Sequence, residues 1–533
     1  MKKNFIYVRR VATMILMAVV ITITGCHKDT PIDRPYHLVS DKCVDEVVLL
    51  FENDVHGVID GYPMFAGYRD AVADTFEYVV TVSCGDCLSG PFAAFYQGES
   101  IIDIMKSVGY DYFVPGNHDF DSSMDTFLNF PDATKVQPLC CNFNDRATGK
   151  PLFKEYEVKD YGGIKVGYVG VTTPEMEDLV TISALIDETG NYIYDFGRED
   201  VVEKVQNAVD AAKAEGAQTV VLLSHIGDVM LPGIISKTSD IDVVLDAHKH
   251  TTEPGAYFKD KDGNDVLWTS TGTQLKNIGR VSITRDGKVK SSLIAIETVG
   301  QRSETVGNVV DGYNQDFEKR TKEVIGHSDA YLTENDANGK YIARLKECPI
   351  GNFCADAFRA VTGAQIGIVN AGGMRTEIQA GDITYASLLA VFPFMNEVSM
   401  IKVSGRALKN ALEMSYAHID DFGGFYQISG MKVLIDSTAT EGNRVKSVKV
   451  DVAGNGTFVD MADNEKYTIG GSSYVLLEGG NGIIFENAER LALKSYLTDD
   501  LLLLQYVTET LGGHIPESAG KVDGRISFSY EIL

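Results

Sequence analysis

Five runs of β-forming residues each break off at a polar tip, and the tips follow one another through the first half of the chain. VVLLFEN runs into Asp54-Val55-His56, and YVVTVSCG runs into Asp86. YDYFVPG runs into Asn117-His118-Asp119, TVVLLS into His225, and IDVVLD into the segment that carries His248 and His250. Runs this short, apolar at consecutive positions, read as strands buried on both faces. An open α/β sheet built from such strands binds its ligand just beyond their carboxyl ends. That is where these tips fall.

The tips collect seven candidate metal ligands: Asp54, His56, Asp86, Asn117, His225, His248 and His250. Imidazole nitrogens mixed with carboxylate and amide oxygens suit zinc, manganese or iron better than the all-oxygen cages of magnesium or calcium. Asp86 has the carboxylate to bridge two ions a few ångströms apart. A pair of ions clamps the attacking and leaving oxygens of a phosphoryl transfer. Taken singly, a loop His or Asp is ordinarily a solvated or capping residue. The chain has only 10 histidines, however, and five of them lie in these tips (His56, His118, His225, His248 and His250). That concentration favours the two-metal reading.

The remaining features set the frame. At 533 residues the chain is long enough for more than one domain. Its formal net charge of -27 makes polyanionic nucleic acid an unsuitable partner, since phosphate contacts need clustered Lys and Arg. A small phosphate ester remains compatible, because bound cations invert the local field. Lys2, Lys3, Arg9 and Arg10 precede the apolar segment VATMILMAVVITIT, too short for a comfortable membrane span, and Gly25-Cys26 follows it. This is the pattern of a leader, and a small residue before Cys26 resembles a bacterial lipoprotein cleavage box. Cys26 is then the expected lipidation site, with an ordinary signal peptide or anchor helix as the alternative. Residues 1–25 read as the leader and 26–43 as a tether, with Pro31, Pro35 and no periodicity. All the ligand tips fall within 44–300. The segment VGNVVDGYNQDFEKRTKEV makes 301–325 a connecting helix, and 326–533 forms a second unit. Helical spacing is expected over VVEKVQNAVDAAKAEG, over IGNFCADAFRAVTG and from Gly405 to Tyr416. Eight cysteines include Cys84 and Cys87 around Asp86 and a conceivable Cys348–Cys354 bridge. A redox or zinc role for Cys84-x-x-Cys87 is the weaker reading, because the intervening Gly-Asp belongs to the metal motif.

The series NDVHG, SCGDCLSG, GNHDFD, SHIGD and HKH resembles the calcineurin-like metallophosphoesterases, in particular the 5′-nucleotidase/UDP-sugar hydrolase branch. The resemblance continues through ECPIGNFCADAF, IVNAGGMR, GDITYASLLAVFPFMNEV and EGGNGI, and so covers nearly all the chain beyond the first forty or so residues. It implies an α/β protein: a four-layer α/β/β/α metallophosphoesterase domain, then a smaller α/β substrate-binding domain. It implies His118 as the group that stabilises the transferring phosphoryl or protonates the leaving oxygen, and Asp121 as its orienting carboxylate. Spacing alone would also admit Asp119. The resemblance further implies a nucleoside site made of Arg344, Asn370 and Arg375 of Asn370-Ala-Gly-Gly-Met-Arg375, and Phe394. Tyr474 is the second stacking aromatic, displaced by one residue from the family pattern, and Asn481 stands where the family carries a ribose-holding Asp. Core packing is the competing role for both aromatics. The expected activity is hydrolysis of nucleoside 5′-monophosphates in the cell envelope by two divalent ions, zinc, manganese or similar. The expected partners are a small nucleotide and, through a lipid anchor, the membrane. UDP-sugar hydrolysis and 2′,3′-cyclic-nucleotide or 3′-nucleotide hydrolysis are the enzymatic alternatives. A non-catalytic surface lipoprotein is the alternative outside enzymes.

Overall fold

The computed structural model describes residues 42–529, apart from 122, 181–184, 187–190, 419–421 and 494–495. The leader, Cys26 and nearly all of the tether lie outside the described residues. Among the described residues no helix is long and apolar enough to cross a membrane.

The N-terminal region holds two six-stranded sheets. One runs Val289–Ala295, Asn277–Thr284, Cys43–Glu52, Phe76–Ser83, Tyr112–Phe113, Gln137–Pro138 from edge to edge, and its last four strands are parallel. The other runs Thr252–Lys259, Asp265–Thr271, Val243–Leu245, Thr219–His225, Ile164–Thr172, Tyr156–Tyr161, with four parallel strands at its centre. Alternate residues of each strand point to opposite faces. Val47, Leu49, Phe51, Val80 and Val82 of the first sheet therefore pack against Val166, Tyr168, Val221, Leu223 and Leu245 of the second. Val48 and Leu50 point the other way, into a core with Phe65, Ile104 and Phe127 of the helices Tyr62–Ala73, Glu99–Val108 and Met124–Thr134. Val220, Leu222 and Val244 likewise meet Val205, Val209 and Ala212 of the helix Val201–Ala214. The layers are thus helix, sheet, sheet, helix. Burial on both faces is why these strands are apolar at every position rather than at every second one.

The helix Glu304–Thr321 follows and buries Val306 and Val310 in the core of the first sheet and its helices. The C-terminal region has one continuous core, reaching from Ala330 to Ile526. Its five-stranded sheet runs Tyr426–Ser429, Ile366–Asn370, Lys466–Ser472, Val398–Ser404, Glu489–Leu491. The helix Pro349–Thr362 packs on it through Phe353, Ala357 and Phe358, starting at Pro349 in the first turn and stopping at left-handed Gly363. The helix expected to end at Tyr416 spans Gly405–Ser415, with Tyr416 as its C-cap.

The two regions meet through rings. Phe95 stacks on Tyr385 with centroids 5.2 Å apart, and Phe317 of the linking helix abuts Phe95 at 5.0 Å. All seven described cysteines are free, so the conceivable Cys348–Cys354 bridge does not form. Both are buried thiols, and burial pushes Cys348 up to about 12.

Candidate metal centre and adjoining pocket

The parallel strands of both sheets deliver the candidate ligands to one place. Asp54 and His56 follow the strand that ends at Glu52. Asp86 follows Ser83, and Asn117 opens a short 3₁₀ turn after the Tyr112–Phe113 strand. His225 is the last residue of its own strand, and His248 and His250 follow Leu245. Five of the seven candidates (Asp54, His56, Asp86, His248 and His250) have positive φ, between 49 and 79°. Side chains other than glycine rarely adopt that backbone, and clusters of it mark sites where the surrounding structure imposes the geometry.

One oxygen lies at the centre. Asp86 Oδ2 is 3.3 Å from His225 Nε2 and 3.8 Å from His56 Nε2. Asp54 Oδ1 is 3.5 Å from His250 Nε2 and 3.8 Å from His56 Nε2. The Nε2 atoms of His56 and His250 face each other at 2.9 Å, and His248 Nδ1 lies 2.9 Å from Asn117 Oδ1. Asp54, His56 and His250 form one group with the spacing to hold an ion, and Asp54, Asp86 and His225 form another.

The donor set fits cations. His225 Nε2 and His248 Nε2 are buried without a hydrogen-bond partner, which costs free energy unless something coordinates them. Burial lowers His56 and His248 to about 3, so both rings are neutral near pH 7, the form that binds metal. Burial, aided by the neighbouring Asp86, pushes Asp54 up to about 7, as expected of carboxylates crowded together without compensating charge. Two divalent ions would supply that charge.

Supporting residues set the ligand directions. Asp119 is fully buried, and its carboxylate accepts the N–H groups of Asp86, Cys87, Leu88 and Gly116 at 2.7–2.9 Å. Its role is therefore to tie two ligand loops together, and it is Asp121, at 2.9 Å, that meets His118 Nδ1. His225 Nδ1 lies 2.7 Å from the Cys84 carbonyl, which leaves Nε2 for the centre. Asp246 accepts from Ser224 Oγ at 2.7 Å and holds the turn after His225. Burial alone would lower His118, but the adjacent Asp121 carboxylate overrides it and holds the imidazole up at about 10. Burial pushes Asp121 up to about 7 against the pull of His118.

In the C-terminal region a cavity of about 500 Å³ is lined by Arg344, Asn370, Gly372, Gly373, Phe394, Asn396, Gly423, Tyr474 and Asn481. Arg375 stands beside it, in an adjoining space of about 310 Å³ shared with Arg344, Glu334, Tyr341 and Met374, and its guanidinium lies 5.8 Å from the Phe394 ring centroid. Phe394 is 59% exposed, which rules out core packing for it. Asn396 was not singled out in the sequence. It lies two residues after Phe394 in FPFMN, so the signal was at hand. Its neighbour Glu397 pairs with Arg490 at 2.6 Å and lies close enough to His118 and Asp121 to raise both.

Comparison with known proteins agrees with this architecture. Residues 324–488 match the family model of the 5′-nucleotidase C-terminal domain. The chain is similar to a 5′-nucleotidase of Vibrio parahaemolyticus, with 24% identity over 91% of this chain and 94% of that protein. It is similar also to the trifunctional nucleotide phosphoesterase YfkN of Bacillus subtilis, with 25% identity over 90% of this chain, although the match spans only 35% of that longer protein. The solved NAD nucleotidase of Haemophilus influenzae shares the fold, with a TM-score of 0.67, 18% identity, and coverage of 91% of this chain and 99% of that one. The chain thus carries the 5′-nucleotidase C-terminal domain over residues 324–488 and is similar to 5′-nucleotidases over about nine-tenths of its length, which supports a phosphoric monoester hydrolase.

The crowding at the centre yields a test. A Cβ added at Gly116 would collide with Asp86 Oδ1 and with the His225 ring. Gly116→Ala should keep the far-ultraviolet circular dichroism of the parent, lose bound metal, and lose at least about 10² in turnover, the cost of misplacing reacting groups by about an ångström. Native metal content in the variant would show that the two loops do not need this close approach.

Proposed function

We propose that the chain hydrolyses nucleoside 5′-monophosphates to nucleoside and phosphate. The observation that carries this is the adjacency of Asn396 and Glu397. Asn396 lines the cavity that offers aromatic rings and amides, while Glu397 lies within electrostatic reach of the His118–Asp121 pair at the metal centre. A nucleotide has the same two halves, a flat base with a hydroxylated sugar and a phosphate. The relatives support nucleotide hydrolysis in general, being named as nucleotidases and nucleotide phosphoesterases.

In this reading Asp54, His56 and His250 would hold one divalent ion and Asn117, His225 and His248 the other, with the Asp86 carboxylate available to both. Bound there, two such ions would polarise the phosphoryl oxygens and acidify a water. The remaining work falls to the chain's own side chains. Asp121 engages His118 at Nδ1, so the proton available to substrate sits on Nε2. From there the imidazole stabilises charge on the transferring phosphoryl group or protonates the departing O5′. Phe394 and Tyr474 stack on the base, Arg344 and Arg375 balance negative charge, and Asn370 and Asn481 bond the sugar.

The catalytic assignment is checked with His118→Ala. Turnover of AMP should fall by about 10²–10⁴, the range for a positioned acid or base, with metal content near that of the parent. A parallel loss of metal would make His118 a ligand instead. The pocket assignment is checked with Phe394→Ala. Its KM for AMP should rise by one to two orders of magnitude, since base stacking on an aromatic is worth roughly 1–3 kcal/mol. Hydrolysis of p-nitrophenyl phosphate should change far less. Equal losses on both substrates would place Phe394 outside the nucleoside site. UDP-glucose and 2′,3′-cyclic AMP in the same panel distinguish the other phosphoester activities.

We propose also that the enzyme works in the cell envelope, anchored by lipid on Cys26, on the strength of the basic-then-apolar leader ending in Gly25-Cys26. Cys26→Ser should move the protein from the membrane fraction to the soluble one or leave the precursor uncleaved. Unchanged processing with unchanged membrane association would remove the anchor from the account.

A further inference from the structure

The cavity around Asn481 carries an unusual charge for this chain. Acidic residues outnumber basic ones by 75 to 48 overall, yet among the described residues the cavity lining has no carboxylate, and the one charged side chain among them is the Arg344 guanidinium. The polar lining is otherwise amide: Asn370, Asn396 and Asn481. Two of these amides orient each other. Asn370 Nδ2 donates to Asn481 Oδ1 at 3.2 Å and to the Gly423 carbonyl at 3.4 Å. Asn481 is held in a left-handed conformation, φ 58°, with its backbone N–H donating to Tyr474 Oη at 3.3 Å. Its acceptor oxygen is thus engaged by Asn370, and its NH₂ is the end left for a ligand.

A carboxylate at this position would accept from a ribose diol and repel any anion placed there. An amide NH₂ donates equally well to a hydroxyl oxygen or to a phosphate oxygen. Arg344 also lines the adjoining space together with Arg375, and both guanidiniums pull on the Glu334 carboxyl there against burial and the neighbouring Glu377, which raise it. An anion on the sugar therefore meets donors and positive charge.

We propose that the site admits nucleoside bisphosphates, nucleotides with a second phosphate on the ribose in addition to the 5′-phosphate. This rests on the 5′-nucleotidase reading above and extends its substrate class. The reaction is hydrolysis at the 5′ position. A water oxygen bonds to the 5′-phosphorus, the P–O5′ bond breaks, and O5′ takes up a proton. The products are inorganic phosphate and a nucleoside that keeps its ribose phosphate.

The test uses the full chain loaded with Mn²⁺ and three substrates: AMP, adenosine 3′,5′-bisphosphate and adenosine 2′,5′-bisphosphate. Products are separated so that only 5′ cleavage is scored. At least one bisphosphate should be cleaved with a kcat/KM within about tenfold of AMP, a margin ordinary pocket discrimination allows. Asn481→Asp should lower the ratio of bisphosphate to AMP kcat/KM by about a hundredfold, because like charges would then face each other. Asn481→Ala, which adds no charge, should lower that ratio by less than about tenfold. AMP cleavage with both bisphosphates more than about tenfold poorer overturns the proposal and leaves the nucleotidase reading standing. An unchanged ratio in Asn481→Asp overturns it as well. Cleavage of a bisphosphate without AMP would support it and remove the monophosphate reading. Phosphate release from none of the three would remove both.

Discussion

The arrangement depends on one buried carboxylate that contacts neither metal nor substrate in the proposed scheme. Asp119 gathers four backbone N–H groups, three from the loop that carries Asp86 and one from Gly116, just ahead of Asn117. Charge-assisted bonds to backbone amides are among the stronger ones a protein makes, and here they work against the burial and the neighbouring Asp86 that raise the Asp119 carboxyl. Fastened this way, two loops from neighbouring strands approach until only glycine fits at position 116. Asp86 Oδ1 then accepts the His118 N–H at 2.8 Å, so its other oxygen, Oδ2, is directed to His225 and His56. The central oxygen of the site is thus aimed by backbone, and the left-handed residues around it are the strain that this fastening holds in place.

How much of this was legible in the sequence follows from where each signal lives. The strand tips were plain, because burial on both faces forces an unbroken apolar run and the end of the run is abrupt. The helices 201–214, 349–362 and 405–415 were legible from spacing and from their stops. The pairing of His118 with Asp121 rather than Asp119 was not decided by spacing. Both carboxylates lie within three residues of the ring, and the difference is that Asp119 turns inward to neighbouring backbone while Asp121 turns toward the imidazole. Asp246 and Asn53 carry no local signal of their roles for a related reason. Each sits beside a ligand, and only the fold shows that Asn53 bridges Asp54 to the Gly272 carbonyl.

The C-terminal region was harder to read. Met431, Val433 and Ile435 are buried and Lys432 is exposed, an alternation visible in the residues themselves. Its parallel partner is Ile526–Phe528, and no local pattern announces a pairing across that distance. The cysteines were ambiguous for a different reason. A thiol's preference for a core and its capacity to bridge look alike in a sequence, and here burial decides the matter.

The proposed nucleoside pocket and the candidate metal centre are built on different sheets, and the two-part substrate proposed for them needs them held at a fixed span. Two features of the chain bear on that. The rings of Phe95, Phe317 and Tyr385 join the N-terminal region, the linking helix and the C-terminal region in one aromatic cluster. The segment Phe394–Glu397 carries an exposed aromatic, a pocket amide and a carboxylate near His118 within four residues. Asn396 is fixed from behind by its own bond to the buried Asp499, at 3.0 Å, and Glu397 by Arg490. Anything that shifts this segment shifts the cavity lining and the electrostatic surroundings of His118 together. In the proposed scheme, coupling of that kind favours catalysis only when the whole nucleotide is bound, since binding energy from the nucleoside is then spent on orientation at phosphorus.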